Sequence, residues 1–331
     1  METTPPPQID FLADSPEAAC PIENRMFIGK TANQWMEEAA LRPDPKPLWM
    51  ELWFEGEVCC LFADTNVGKS IYAIQIAAHI AKTQPVLYFD FEMNDKQFQL
   101  RYTSPDGDIH QFPANFLRLE FSRNTAAMDS LQSIIDQIEL QVIETRAKVL
   151  IIDNISWICN RAESGDAAGE LMQLLISLKR RCGLSILVLA HTPKRNISSP
   201  LTQNSLAGSK RIANFMDSMF AIGLSKNNRP SGRYIKQIKV RNCELKYGEN
   251  NVIVGELRKE GDNILIAHVA TDWERNQLEE PDSDDIERDE ARAEIARRLA
   301  EGQSYRSISS EMRVSQKTIS QVAKKVITAA G

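Results

Sequence analysis

Residues 61–70 read LFADTNVGKS, one letter away from the G-x-x-x-x-G-K-[ST] pattern of a phosphate-binding loop. The exception is Ala63, where the pattern has its first glycine. The flanks decide whether the likeness counts. Upstream, VCCLFA (58–63) is an unbroken apolar run of strand length, the mark of a strand buried on both faces. Downstream, KSIYAIQIAAHIAK (69–82) carries apolar residues at helical spacing from Lys69 onward. A strand that turns through a tight loop into a helix aims backbone N–H groups and the helix N-terminus at an anion. Ala63, Asp64, Thr65, Asn66, Val67, Gly68, Lys69 and Ser70 are therefore the predicted nucleotide cradle. In it Lys69 meets the β- and γ-phosphates of ATP, and the Ser70 hydroxyl binds Mg2+. Gly68 lets the backbone pass close to the phosphates, and a methyl group at Ala63 is small enough for the turn. Lys69 is expected in a solvated loop rather than in the core. A chance G-K-S between a strand and a helix is the competing reading.

Three further apolar runs end in a side chain able to act on a phosphate. PVLYFDFE (85–92) ends at Glu92, a carboxylate that beside the γ-phosphate orients and deprotonates the attacking water. AKVLIIDN (147–154) carries Asp153 near its C-terminal end, the place for an acid that holds Mg2+ through water. LSILVLAHT (184–192) brings His191 to a strand end, where it senses the γ-phosphate by hydrogen bonding. Singly, each is an ordinary strand-end polar residue; their order along the chain is what counts against chance. Fourth, IKQIKVRNCELKYG (235–248) sets Lys239 and Arg241 two apart, hence on one face of a predicted strand.

The chain has 331 residues, 43% hydrophobic and 25% charged, with a formal net charge of -6. That is the composition of a globular protein with an ordinary core, and not of a generally basic nucleic-acid binder. A local basic channel stays open, because the local field outweighs the total. Six cysteines form no C-x-x-C pair, which reads as reduced thiols of a cytoplasmic protein. No signal-peptide pattern or membrane-spanning run is seen. Residues 1–30 are Pro-rich and polar, a predicted mobile arm. From 31 to 275, apolar strand-like runs alternate with amphipathic stretches, implying an α/β fold with a mostly parallel sheet flanked by helices. The later strands, joined by short turns, suggest an antiparallel extension at one edge. RNQLEEPDSDDIERDE (275–290) is acidic and holds a proline, so residues 276–331 read as a linker and a small all-α domain.

The ordered set of motifs resembles the RecA-fold ATPases of the DnaB-type hexameric helicase superfamily, and within it the RepA-like ATPases of plasmids and mobile elements. FDFEMNDKQFQLRY (89–102) is similar to that superfamily's strand–Glu–Met–helix segment, and KVRN (239–242) looks like its K-x-R-N finger. AGSKRIANFMDSMFAI (207–222) resembles the stretch before a late strand, with Asp217 at the matching acid. The resemblance implies a RecA-like core, a homo-oligomeric ring (a hexamer in this superfamily), ATP hydrolysis with Mg2+ between subunits, and single-stranded DNA in a central channel. Arg241, with Lys239, is implied to complete the neighbouring subunit's site. Ala63 departs from the pattern, and the short stretch before the first sheet strand leaves no room for an N-terminal collar domain.

Two stretches are candidates for DNA contact. NRAESGDAAGE (160–170) follows the Asp153 strand, and PKRNISSPLTQNSLAGSK (193–210) follows His191 and carries Lys194, Arg195 and Lys210. Such residues suit phosphate contacts that ignore base identity; the alternative is a pair of surface loops. The tail ARRLAEGQSYRSISSEMRVSQKTISQVAKKV (296–326) reads as a helix-turn-helix and resembles that of resolvases. Gly302 ends one helix, Ser304 and Ser315 cap the next two, and Leu299, Ile308, Met312, Val314, Ile319 and Val322 supply a small core. Gln316, Lys317, Thr318 and Gln321, with Ser320, then form an exposed surface for duplex DNA. A three-helix protein-docking module fits the same pattern.

Overall fold

A computed structural model describes residues 27–121, 130–159, 167–192, 197–206, 209–280 and 283–329. The expected arm lies outside the described residues as far as Met26. The chain divides into two units, Met1–Asp44 and Pro45–Gly331. The first contains helix α1 (Ala32–Ala40), which starts at Thr31 because its hydroxyl and the Gln34 amide satisfy each other's backbone N–H groups.

The second unit opens with a short antiparallel pair, β1 (Pro47–Trp49) and β2 (Trp53–Phe54). The phosphate-loop strand β3 (Val58–Ala63) and helix α2 (Lys69–Ile80) follow. Next come β4 (Val86–Asp90), α3 (Asp95–Arg101), β5 (Phe116–Leu119), α4 (Leu131–Thr145), β6 (Val149–Asp153) and α5 (Ile155–Cys159). Then α6 (Ala167–Cys182), β7 (Ser185–His191), α7 (Ser209–Phe215) and β8 (Ser218–Leu224) complete the parallel part. Strands β9 (Gly232–Lys239), β10 (Val252–Glu260) and β11 (Asn263–Asp272) turn back on themselves.

All but the β1–β2 pair join one sheet in the order β11-β10-β9-β8-β3-β7-β6-β4-β5. From β8 to β5 every pairing is parallel, while β8, β9, β10 and β11 pair antiparallel. This is a RecA-like arrangement, with β7 standing between the phosphate-loop strand and the Asp153 strand. Strand β3 is apolar throughout because both its faces are covered. Val58, Cys60 and Phe62 join the core under α4 and α6, and Cys59, Leu61 and Ala63 join the core under α2. Packing on both faces holds the C-terminal ends of β3, β4, β6 and β7 along one edge, where their loops meet.

The structure departs from the sequence reading at five strands. The short β1 and β2, the half-buried β5 and the partly exposed edge strand β11 were not foreseen. Strand β9 stops at Lys239 after a register shift opposite Met219–Phe220, so Arg241 lies beyond the strand and does not share a strand face with Lys239.

The tail forms α8 (Ser283–Ala300), α9 (Tyr305–Met312) and α10 (Gln316–Ala329). Ile295, Ile308, Ile319 and Val322 make a separate apolar core, with Leu299, Met312 and Val314 packed against it. Ser304 accepts from the Ser307 N–H at 3.2 Å and Ser315 from the Thr318 N–H at 3.1 Å, so both caps stand where expected. Among the described residues no helix is long and apolar enough to cross a membrane.

Candidate active site

The loop between β3 and α2 is shaped by one residue above all. Gly68 has φ 106° and is the N-cap of α2, a left-handed conformation that disfavours any side chain. Ala63 is fully buried and lies in regular parallel register between His191 and Ile222. It needs no positive φ, which is why alanine replaces glycine there without strain. Among the described residues the N–H groups of Gly68, Lys69 and Ser70 have no acceptor. They form an anion-binding nest at the start of a 12-residue helix.

Lys69 corrects one expectation. It is 5% exposed, not solvated, because α2 begins at this residue and packs onto the sheet, drawing the lysine into the gap between strand ends. Its charge acts on Asp153 and on Glu92.

Asp153, at the end of β6, is completely buried. Its Oδ2 accepts from the Tyr88 hydroxyl at 2.6 Å, while among the described residues Oδ1 has no hydrogen-bond partner. Burial pushes this carboxyl above the usual carboxylate range, against the pull of Lys69 and of the Tyr88 and Ser70 hydroxyls. A buried orphan acceptor beside a hydroxyl and a lysine fits a cation-bearing phosphate group. Ser70 and Asp153 would hold Mg2+, a sparse protein donor set of the kind used when the metal arrives with phosphates. The nest and Lys69 would hold the nucleotide.

Glu92 sits two residues beyond β4, and Asp90 aims it. Asp90 Oδ1 accepts from the N–H groups of Glu92 at 3.0 Å and Met93 at 2.9 Å, and its Oδ2 takes the Arg118 guanidinium at 2.9 Å. The Glu92 carboxylate accepts from the Asn154 amide and meets His191 Nε2 at 3.1 Å. The hydrogen bond from His191, then the charge of Lys69, hold Glu92 below the usual glutamate range in spite of partial burial. It is an ionised carboxylate at neutral pH. Asn154 Nδ2 also lies 3.0 Å from His191 Nε2. One imidazole nitrogen cannot accept from the Asn154 amide and donate to Glu92 together. The proton on His191 Nε2 thus decides which partner it keeps. Stacked Phe91 and Trp157, 4.9 Å apart at 7°, wall a cleft of about 230 Å³ beside Glu92. A larger cleft of about 530 Å³ lies further along α2, between His79, Tyr102 and Asn263, and contains none of these residues.

Sequence reasoning therefore brought together Lys69, Ser70, Glu92, Asp153 and His191, and missed Asn154, Tyr88 and Asp90. All three lie inside the quoted strand motifs, but nothing in the sequence says that positions 62 and 37 residues from Asn154 become its partners.

The finger residues stand elsewhere. Asp217, Lys239 and Arg241 lie at the opposite edge of the sheet, because β9 runs antiparallel from the phosphate-loop edge. In register terms Lys239, opposite Met219, is about 10 Å along the sheet from the Ala63–Ile222 level, three residue rises of ~3.3 Å, and Arg241 lies beyond it. Arg241 pairs with Asp217, which also takes the Val58 N–H and the Lys179 ammonium, each at 2.9 Å. Burial works against ionisation of Asp217, and these donors overcome it to keep the carboxyl low. Lys239 is engaged within its own chain: it donates to the carbonyls of Ala213 at 3.1 Å and Met216 at 2.7 Å, capping the end of α7. Neither residue reaches its own subunit's phosphates.

Lys194 and Arg195 lie outside the described residues, and so does residue range 160–166. Lys210 falls in α7, its side chain outside the description. Gln316, Lys317, Thr318 and Gln321 are exposed at the start of α10.

A family model described as AAA domain matches residues 30–196, a span that contains the loop, Glu92, Asp153 and His191. The chain belongs to the AAA domain family. It is accordingly a P-loop ATPase. A solved structure similar to this AAA domain protein is a KaiC-like protein from the hyperthermophilic archaeon Pyrococcus horikoshii OT3, with 16% identity, a TM-score of 0.47, and coverage of 65% of this chain and 90% of that one. Among curated proteins none matches.

Proposed function

We propose that this ATPase is a ring-forming DNA motor, a helicase of the RepA/DnaB type, acting in replication or transfer of a mobile element. The observation that carries the reading is His191. It touches the base Glu92 and stands one residue before Thr192, after which the chain runs directly into the segment bearing Lys194 and Arg195. A change at the γ-phosphate that alters the proton or position of His191 is thereby passed to a candidate DNA segment. Lys69 and the loop N–H groups hold the phosphates, and Glu92 takes a proton from the attacking water. Mg2+ held by Ser70 and Asp153 would supply charge neutralisation at the phosphates. Arg241 lies far from its own site, which supports a role across a subunit boundary, with the acceptor site supplied by a second copy in a hexamer.

A second reading is an ATP-gated oligomeric DNA-binding regulator or loader that does not unwind. The separate core of the tail favours it, because α10 presents Gln316, Lys317, Thr318 and Gln321 in the manner of a helix-turn-helix recognition surface. Strand displacement from a forked duplex discriminates between the two. ATP-dependent displacement, lost in Glu92→Gln, is the expected result for the motor. Hydrolysis and duplex binding without displacement would overturn the motor in favour of the regulator.

A further inference from the structure

Arg233 stands near the start of β9, in register with Leu224 of β8 and Gly255 of β10. It is only 4% exposed. Among the described residues no carboxylate pairs with it; its donors go to backbone carbonyls alone. Nε donates to the Val67 carbonyl at 2.5 Å, and Nη1 to those of Pro230 at 2.7 Å and Gly232 at 2.9 Å. A guanidinium taken out of water without a counter-charge is a net cost to the fold, so its place calls for a compensating role.

Val67 supplies one. Its carbonyl belongs to the peptide that carries the Gly68 N–H, and that peptide is trans, since the cis bonds of the described residues lie elsewhere. In a trans peptide the C=O and N–H point in opposite directions. A donor fixed on the Val67 oxygen therefore turns the Gly68 N–H the other way, into the nest where the N–H groups of Lys69 and Ser70 also lack an acceptor among the described residues. The positive φ of Gly68 lets the chain take this orientation. The guanidinium charge, unpaired and behind the loop, adds to the potential of the α2 N-terminus at the same place.

We propose that Arg233 is a positioning residue of the phosphate loop, clamping the Val67 carbonyl so that the Gly68 N–H and a buried positive charge are both directed at the nucleotide's phosphates. The inference rests on nucleotide binding by the loop and not on any action on DNA. Its interaction is the same in the ground and transition states, so it belongs to binding rather than to the chemical step.

The experiment is calorimetric titration of the full chain with Mg-ATP and Mg-ADP, beside steady-state hydrolysis and thermal melting without nucleotide. Arg233→Met removes donor and charge, and both affinities are expected to fall on the order of thirtyfold, with KM rising in parallel and kcat within about threefold of wild type. Arg233→Lys keeps the charge and a donor for Val67, and should stay within about fivefold of wild type. Arg233→Gln keeps only a neutral donor, should fall between them, and serves with Arg233→Lys if the methionine variant does not fold. A folded Arg233→Met or Arg233→Gln that binds both nucleotides like wild type would overturn the proposal. So would affinities that merely follow melting temperature, with lysine no better than methionine, since that is a structural role alone. A wild-type chain that fails to bind Mg-ATP would overturn the nucleotide reading and the proposal together.

Discussion

Replacing Arg241 by alanine removes an ion pair to Asp217 whose arginine side chain is 62% exposed. A pair so open to water is worth about 0.5 kcal/mol. Asp217 keeps the Val58 N–H and the Lys179 ammonium, so no buried charge is stranded. The melting temperature should fall by about 2 °C or less. Were Arg241 only a structural residue, hydrolysis would fall no further than that. As a finger reaching the neighbouring subunit, it stabilises charge on the γ-phosphoryl group, a contribution on the order of a thousandfold in rate. The two readings thus differ by about three decades in kcat at nearly equal stability. Steady-state hydrolysis at saturating Mg-ATP, nucleotide affinity and thermal melting are measured on the assembled protein. Affinity near wild type with kcat down about a thousandfold is expected. Lys239→Ala is the control. It uncaps the Ala213 and Met216 carbonyls at the end of α7, so it should cost about 1 kcal/mol of stability and less in rate than Arg241→Ala. Mixing Arg241→Ala with Lys69→Ala should restore partial hydrolysis, because only mixed rings join an intact loop to an intact finger. Wild-type turnover by assembled Arg241→Ala, or no recovery in verified mixed rings at any ratio, would refute the shared site.

Ala63→Gly should change kcat less than about twofold, since Ala63 is buried in regular strand register and has no positive φ to relieve; a many-fold gain measured in the same hydrolysis assay would contradict this. His191→Ala removes the largest influence lowering Glu92, so the acid limb of the hydrolysis profile should move to higher pH. The sign is that of a depressed carboxylate: its stabilising contribution is present above the ordinary glutamate range and lost as pH falls through the lowered value, and an unmoved limb would count against Glu92 as the base. A chain ending at Glu280 should keep basal hydrolysis while losing affinity for its duplex site. One ending at Arg275 should unfold more readily, because Gln277 is 1% exposed and bonded to Ser225 at 2.7 Å; equal melting temperatures for the two truncations would refute that placement.

The elements legible in the sequence are those whose burial is uniform. VCCLFA matches β3 to the residue and LSILVLAHT exceeds β7 by one residue at each end, because a central parallel strand buried on both faces leaves an unbroken apolar signature. Strands β5 and β11 carry no such signature, being edge strands held by backbone pairing with one neighbour. The same division runs through the site. Lys69, Ser70, Glu92, Asp153 and His191 were readable because each closes a motif whose flanks announce a strand or a helix. Asn154, Tyr88 and Arg233 act through partners that only sheet order brings near: Arg233 meets Val67 across 166 positions of chain. Lys239 shows the converse, since its i, i+2 spacing to Arg241 promised a shared face and the end of β9 removed it. Periodicity along a chain reports which face of an element is covered. What covers it, and which distant carbonyl or carboxylate a polar side chain finds there, follows from the order in which the strands pair, and only the tertiary structure decides that.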